Sequence, residues 1–368
     1  MKQTESLPDV EAVRGGVERI LDAFVSEQRT VYSSFGADGA ALADTLETMV
    51  STGKRLRPVL CYWAYRAHGG RAGTPEADAV LHVGAALELF QAAALFHDDV
   101  MDASDTRRGR PTAHRVYAAK HAAERWTGDA YRFGESVAIL LGDLALTASE
   151  SVFAQALHRF RPEVATAARQ VFDHMRTEVT VGQYLDVLAQ ALPWGEDPRA
   201  DEARAREVIV SKSARYSVEH PLVLGAALAG AEPSALAGMH AVGGPLGEAF
   251  QLRDDVLGVF GDPSVTGKPA GDDLREGKRT VLVARAMALA SPDQRAALAS
   301  GLGDRTLGAD QVAALAEILT STGALRQVGR LIDELLTTSL DRLGGLALDE
   351  PAASVLRRLA YAVVDRQA

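Results

Sequence analysis

The chain has a single cysteine, Cys61, in 368 residues. One thiol excludes a disulfide framework and fits a reducing compartment, so a cytoplasmic location is expected. No run approaches 18 apolar residues free of charge, and no membrane span is expected. The opening residues Met1-Lys2-Gln3-Thr4-Glu5-Ser6 lack an apolar signal region. Basic residues are outnumbered, 39 Lys and Arg against 49 Asp and Glu, for a net charge of −10. That balance argues against a nucleic-acid partner, because phosphate backbones want basic surfaces. A nucleophile-elbow sequence is missing, and so is a Walker-type glycine loop. Sustained period-two alternation is missing too, which leaves little room for sheet.

Alanine and leucine are abundant, and the hydrophobic fraction of 47% is ample for a core. Apolar residues recur at helical spacing over 9–29, 38–52, 55–68, 75–101, 136–159, 162–191, 202–230, 233–260, 279–290, 308–321, 325–343 and 351–365. Pro162, Pro233, Pro292 and Pro351 stand near helix starts, where a missing N–H costs little. Pro193–Pro198 reads as a loop. Gly243-Gly244-Pro245 is expected to interrupt or kink its helix. No linker or short repeat divides the chain. The reading is one all-α domain over 1–368, with an N-terminal helix within 1–30 and packing helices over 291–368.

Two acidic stretches stand out. The first is His97-Asp98-Asp99-Val100-Met101-Asp102, at the C-terminal end of an apolar helix and followed by Arg107-Arg108-Gly109. Asp98 and Asp102 are four apart and share a helical face. They repel each other there, and the helix macrodipole is unfavourable to both. Either the downstream arginines or a divalent cation must offset these costs; carboxylate oxygens are natural ligands for a hard cation. The second stretch, Phe250-Gln251-Leu252-Arg253-Asp254-Asp255-Val256-Leu257-Gly258, also ends an apolar helix. It runs into Thr266-Gly267-Lys268-Pro269 and Gly271–Lys278. Two acidic clusters, each trailed by basic residues, suit a diphosphate held between Mg²⁺ ions and Lys or Arg.

Further candidates are polar residues in apolar surroundings. Gly53-Lys54-Arg55-Leu56-Arg57-Pro58 puts three cations within four residues. Alone it could be a solvated loop; beside two acidic clusters it reads as a second phosphate pocket. Lys212 is either a surface lysine or one turned towards a ligand. Gln183 and Asp186 are either supports for ligands or a satisfied buried pair. His97 is assigned no ligand role, since Mg²⁺ prefers oxygen. Trp126 is taken as structural.

With these residues in hand, the chain resembles the trans-isoprenyl (polyprenyl) diphosphate synthases, most of all bacterial geranylgeranyl diphosphate synthases. The likeness runs from about Gly53 to Lys278 and includes Phe133-Gly134-Glu135-Ser136, Leu141-Gly142-Asp143 and Gly182-Gln183-Tyr184-Leu185-Asp186. It implies an all-α bundle around a deep central cavity, usually a homodimer, and a Mg²⁺-dependent transferase that works by ionisation, condensation and elimination. By matching position, Asp98, Asp102 and Asp254 would ligate Mg²⁺, three ions in all with diphosphate bound, and Asp99 and Asp255 would support them. Arg107, Lys212, Ser213, Gln251, Lys268 and Lys278 would hold an allylic diphosphate. Lys54, Arg57, Gln91 and Arg108 would hold isopentenyl diphosphate. The family commonly has threonine at Ser213, and many bacterial members have histidine at Gln91.

One departure is Gly258, where the second motif of relatives has its third aspartate. For product length, the resemblance points to residues just upstream of Asp98. Ala93 and Ala94 leave the near floor open. Phe90, eight residues upstream of Asp98 and ~12 Å down the axis, is the next bulky group. This favours a C20 product, with longer chains or farnesyl as alternatives; Tyr184 or Phe172 could also set the floor. A class I terpene cyclase and a non-catalytic subunit of a heteromeric synthase are the competing readings.

Overall fold

The computed structural model of the chain describes residues 10–195, 197–262 and 270–365. The first four helices are α1 (Val13–Ser33), α2 (Ala37–Val50), α3 (Leu56–Ala67) and α4 (Pro75–Met101). α4 starts where the sequence tells it to. Thr74 caps it by accepting from the Ala77 N–H, Pro75 opens the first turn, and Glu76 and Asp78 lie there at the positive end of the dipole. It buries much of its length against α6 (Ala130–Leu157) and α3. Gly142 of α6 makes room for the His97 ring, whose Nε2 lies 3.1 Å from the Ile139 carbonyl. His97 thus ties α4 to α6.

A hairpin follows α4, with β1 (Thr106–Arg107) antiparallel to β2 (Arg110–Pro111) and Thr106 opposite Pro111. Its turn residues Arg108 and Gly109 have φ of 54° and 73°, the pattern of a turn that matches strand twist. α5 (Ala113–Ala123) was not expected. Its buried stripe is Ala113, His114, Tyr117 and His121, which apolar periodicity does not register. Trp126 packs on His121 and Phe133 with ring centroids 5.8 and 5.3 Å apart, the structural role anticipated for it.

α7 (Pro162–Ala191) leads to a continuous helical rod: α8 (Pro198–Val208), a π-helical segment (Ile209–Glu219) and α9 (His220–Leu228). The widened turn precedes Pro221, which has no N–H to donate and whose ring crowds the carbonyl four residues back. α10 (Pro233–Phe260) is not interrupted at Gly243-Gly244-Pro245. The glycines there serve close packing instead. A Cβ on Gly243 would strike the Glu219 backbone, and one on Gly247 the Ala214 carbonyl, so α10 lies directly against the π segment.

The rest comprises α11 (Asp272–Glu276), α12 (Val281–Leu289), α13 (Pro292–Gly301), α14 (Ala309–Ser321), α15 (Ala324–Gly344) and α16 (Ala352–Val364). α11 and α13 were not foreseen. α13 has a Ser291/Gln294 capping box but buries only Leu298 and Gly301. A single buried apolar cluster runs from Val13 to Val364. α4 packs on α6, α3 and α1, whereas α10 packs on the π segment, α15 and α9. α4 has no extended packing against α7, the π segment or α10. Those two walls are bridged by long side chains, which leaves the gap in which the site lies. By length and composition, α4 and α6 could each cross a membrane. α4 is mostly buried, whereas α6 exposes Ile139, Leu140 and Leu146.

Arg55, with φ of 53°, turns inward from its basic loop to a buried pair with Glu88 at 2.8 Å. Arg55→Met should cost about 3–5 kcal/mol by leaving Glu88 buried and unpaired. The double variant R55M/E88L should recover most of that in urea unfolding. Equal losses in both would show that the charge pair is not what matters.

Candidate active site

Asp98 lies on the accessible stripe of α4, which also contains Gln91 and Ala94. Three cations face it or its neighbours. Lys212 Nζ lies 2.9 Å from Asp98 Oδ1, and Arg107 lies 3.2 Å from Asp98 Oδ2 and 2.5 Å from Asp99 Oδ1. Lys278 Nζ lies 3.2 Å from Asp102 Oδ2. Gln183 of α7 donates to Asp98 Oδ1 at 3.1 Å, and Asp186 takes Lys212 at 2.6 Å. The polar pair on α7 therefore belongs to this cluster rather than to itself.

The end of α4 is also capped from far away in sequence. Arg305 donates to the Ala103 carbonyl at 2.8 Å and to the Asp102 carbonyl. A cation at a helix C-terminus offsets its negative dipole. Sequence reading found no chemistry beyond 291, and no local signal pointed to Arg305. Arg108, by contrast, does not offset the acidic cluster. Its guanidinium reaches back to Thr52 Oγ1 at 2.7 Å and to the Thr52 carbonyl, so it joins the loop that carries Lys54.

Near that loop, Arg57 donates to Ser217 Oγ at 2.8 Å and stacks over the Tyr216 ring at 4.1 Å. The Tyr216 hydroxyl donates to Gln91 at 2.7 Å. Phe90 meets the same ring edge-on at 5.4 Å between centroids and is buried. The structure thus links Arg57, Gln91 and Phe90 through Tyr216, a residue given no role from sequence. Ala93 is packed inside the core, whereas Ala94 keeps some accessible surface. Tyr184 is 62% exposed and Phe172 is stacked on Phe153 at 3.8 Å; an exposed Tyr184 is not a floor within this chain.

Lys212 and Ser213 lie in the π segment. Gly182 lets α7 approach there, since a Cβ on it would strike the Lys212 backbone. Both residues are partly accessible. On the opposite wall, Gln251 donates to the buried Asp255 at 2.8 Å; Asp254 is adjacent and half-buried. Lys268 lies outside the described residues.

The position that Gly258 leaves open is filled. A Cβ on Gly258 would fall within the carboxylate of Asp273, at the start of α11. Asp273 and Glu276 both approach Lys278, at 4.0 and 3.0 Å. Lys278 therefore joins the two acidic walls, reaching Asp102 on one and Asp273 on the other. The Asp-Asp of Gly271–Lys278 was visible in the sequence, but its proximity to Gly258 depends on how α11 folds back.

The electrostatics divide the carboxylates. Burial alone would raise Asp98, but Lys212, Lys278 and Arg107 outweigh it and hold Asp98 well below the ordinary carboxylate range. Burial lifts Asp102 to about 6 despite Lys278. Burial also pushes Asp255 up to about 8, against the Gln251 hydrogen bond and with help from Asp273 and Asp254. Partial withdrawal from water would lower Lys212 and Lys278, yet the facing carboxylates raise both above the usual lysine value. Asp102 Oδ2 is buried with no hydrogen-bond partner among the described residues, only the charge of Lys278. Facing carboxylates, one with an unsatisfied oxygen, form a donor set suited to Mg²⁺. A separate depression of about 340 Å³, lined by Tyr65, Arg71, Arg159 and Arg161, lies near the other end of α4 and shares none of these groups.

The family profile described as Polyprenyl synthetase matches residues 40–319. The (2E,6E)-farnesyl diphosphate synthase of Mycobacterium tuberculosis (strain ATCC 25618 / H37Rv) is 31% identical over 319 residues, 86% of this chain and 80% of the relative. Heptaprenyl diphosphate synthase component 2 of Geobacillus stearothermophilus is 31% identical over 92% of this chain and 93% of its own. The crystal structure of a geranylgeranyl pyrophosphate synthase from Corynebacterium glutamicum, complexed with isoprenyl diphosphate and magnesium, superposes with a TM-score of 0.90. It is 37% identical and covers 98% of this chain and 100% of that one. These matches span both aspartate clusters and the basic loop, and the helical bundle is the one the resemblance implies. The chain belongs to the polyprenyl synthetase family and is a prenyltransferase.

Proposed function

We propose that this enzyme condenses isopentenyl diphosphate with an allylic diphosphate to give an all-trans product, geranylgeranyl diphosphate (C20). The observation that carries it is the pairing of Lys212, Arg107 and Lys278 with Asp98, Asp99 and Asp102 across the gap between the walls. The Corynebacterium structure, with magnesium and isoprenyl diphosphate, supports the same ligands here. Asp98, Asp102 and Asp254 would hold Mg²⁺, three ions with diphosphate bound, and Asp99, Asp255 and Asp273 would support them. Mg²⁺ supplies Lewis-acid stabilisation of the departing diphosphate.

The protein's own groups do the remainder. Lys212, Arg107 and Lys278 present positive charge where the allylic diphosphate leaves, and Ser213 and Gln251 add hydrogen bonds; the resemblance gives Lys268 the same role. Charge placed in advance lowers the barrier because it need not reorganise. Lys54, Arg57, Arg108 and Gln91 hold isopentenyl diphosphate so that its double bond faces the allylic cation. The Arg57–Tyr216–Gln91 contacts keep that cluster in register. The released diphosphate takes the final proton, as the family resemblance implies.

Two features bear on assembly. α6 exposes Ile139, Leu140 and Leu146, and α7 exposes Val181, Tyr184 and Val187. Such a face supports a homodimer built on α6 and α7. The similarity to a component of a two-part heptaprenyl synthase favours a second reading, in which a partner chain covers this face. In either case the location is proposed to be cytoplasmic, on the single buried thiol.

The leading test is a product assay with the purified chain alone, Mg²⁺, labelled isopentenyl diphosphate and dimethylallyl, geranyl or farnesyl diphosphate. A single C20 alcohol after dephosphorylation is expected. A longer ladder would remove Phe90 as the stop, and no product from the chain alone would favour the two-component reading. Ala94→Phe should shorten the product; an unchanged product would place the floor elsewhere.

Asp273→Ala should lower activity and Mg²⁺ affinity by roughly 10- to 100-fold. Gly258→Asp should restore part of this only in the Asp273→Ala background, since Asp273 otherwise occupies the space. Rescue failing in that background would refute the substitution of one carboxylate for the other. Leu140→Glu should convert the dimer to monomer by light scattering. A dimer that persists would locate the interface on another face.

A further inference from the structure

Three of the nine histidines converge outside the diphosphate site. His174 is on α7, His220 opens α9 and His240 is on α10; ring centroids are 5.6 Å apart for His174 and His220, and 6.4 Å for His220 and His240. Glu178, one turn beyond His174 on the same side of α7, has its Oε2 2.7 Å from His220 Nε2. His174, Glu178 and His220 each offer one donor atom, and these lie within 4.8 Å of one another. Glu178 is two turns, ~12 Å, along α7 from Asp186, so the prenyl-transfer machinery described above does not use this cluster.

We propose that His174, Glu178 and His220 bind one divalent transition-metal ion of the zinc class, at a site separate from the diphosphate site, and so fasten α7 to α9. Two imidazoles and one carboxylate are a familiar three-ligand set for zinc, with a fourth position left to water. His174 is exposed, which leaves that position open to solvent. The nitrogen donors discriminate against Mg²⁺, which prefers oxygen.

The surroundings fit. Bond lengths of about 2.0–2.2 Å in a tetrahedral site put neighbouring donor atoms ~3.4 Å apart. The present separations, 2.7 Å for His220 to Glu178 and no more than 4.8 Å for the set, bracket that value. Side-chain rotation is therefore enough, without moving helices. The His220 ring is 2% exposed, and its Nδ1 has no hydrogen-bond partner among the described residues. The ring nitrogen that faces Glu178 is Nε2, and it is the one placed to ligate. Arg215 binds the other Glu178 oxygen and approaches Glu219 at 3.5 Å. Glu219 takes His240 Nδ1 at 2.6 Å and so draws His240 out of the set.

The alternative is an ion-pair network with no metal, and the experiment separates the two. The full chain, stripped with chelator and held in excess Mg²⁺, is titrated with Co²⁺ and followed by visible absorption. Zn²⁺ uptake is measured by dialysis and elemental analysis. One equivalent should bind, with a nitrogen-ligated Co²⁺ spectrum and a rise in Tm. His174→Ala and Glu178→Gln should each weaken uptake roughly 100-fold or more and remove the Tm rise. His174 is exposed, so its variant should fold and keep prenyl transfer in Mg²⁺. An Asp98→Asn control should bind the ion as wild type does. No stoichiometric uptake by wild type, or uptake unchanged in both ligand variants, would overturn the site and leave only the ion-pair network.

Discussion

The end of α4 is a place where like charges are forced together. Asp98, Asp99 and Asp102 sit at the negative end of a 27-residue helix, where both their mutual repulsion and the dipole act against them. The structure meets this with cations from four segments, three of them distant in sequence. Arg107 comes from the hairpin, Lys212 from the π segment, Lys278 from beyond α11 and Arg305 from the C-terminal region. Each of these ties a different part of the chain to one point. The acidic cluster is therefore a folding constraint as well as a site, and the pairs it forms are the groups a diphosphate and its metals would engage.

Close approach is the second requirement, and glycine provides it. Lys212 reaches Asp98 because the rod carrying it lies against α7 at Gly182 and against α10 at Gly243 and Gly247. A Cβ at any of these would meet backbone, which cannot yield as a side-chain tip can. The π segment widens the same rod where Pro221 withholds its N–H. This one irregular segment thus places Lys212 towards the acidic cluster, Tyr216 and Ser217 towards Arg57, and Arg215 and Glu219 towards the histidine cluster.

The second wall shows how a motif can lose a residue and keep its charge. The family resemblance implies a third aspartate where this chain has Gly258. Here the side-chain space at Gly258 belongs to Asp273, fifteen residues later. Burial and neighbouring carboxylates raise Asp255 to about 8, as expected where negative groups are crowded in a desolvated wall. The wall is acidic by tertiary arrangement and not by motif alone.

Much of this was legible in one dimension. Helical spacing gave the long helices, because a buried apolar stripe has to recur every three to four residues. It failed for α5, whose stripe is histidine and tyrosine, and for α13, which buries little. The aspartate clusters, the basic loop, Lys212 and Lys278 were readable because hard-cation and diphosphate chemistry needs those residue types. Spacing along the chain said nothing about which partner each would find. Only the folded chain sent Arg55 to Glu88 and Arg108 to Thr52, brought Arg305 to the end of α4, and set Asp273 beside Gly258. These pairs join residues far apart in sequence, and their geometry depends on how helices stack, which local propensity does not encode.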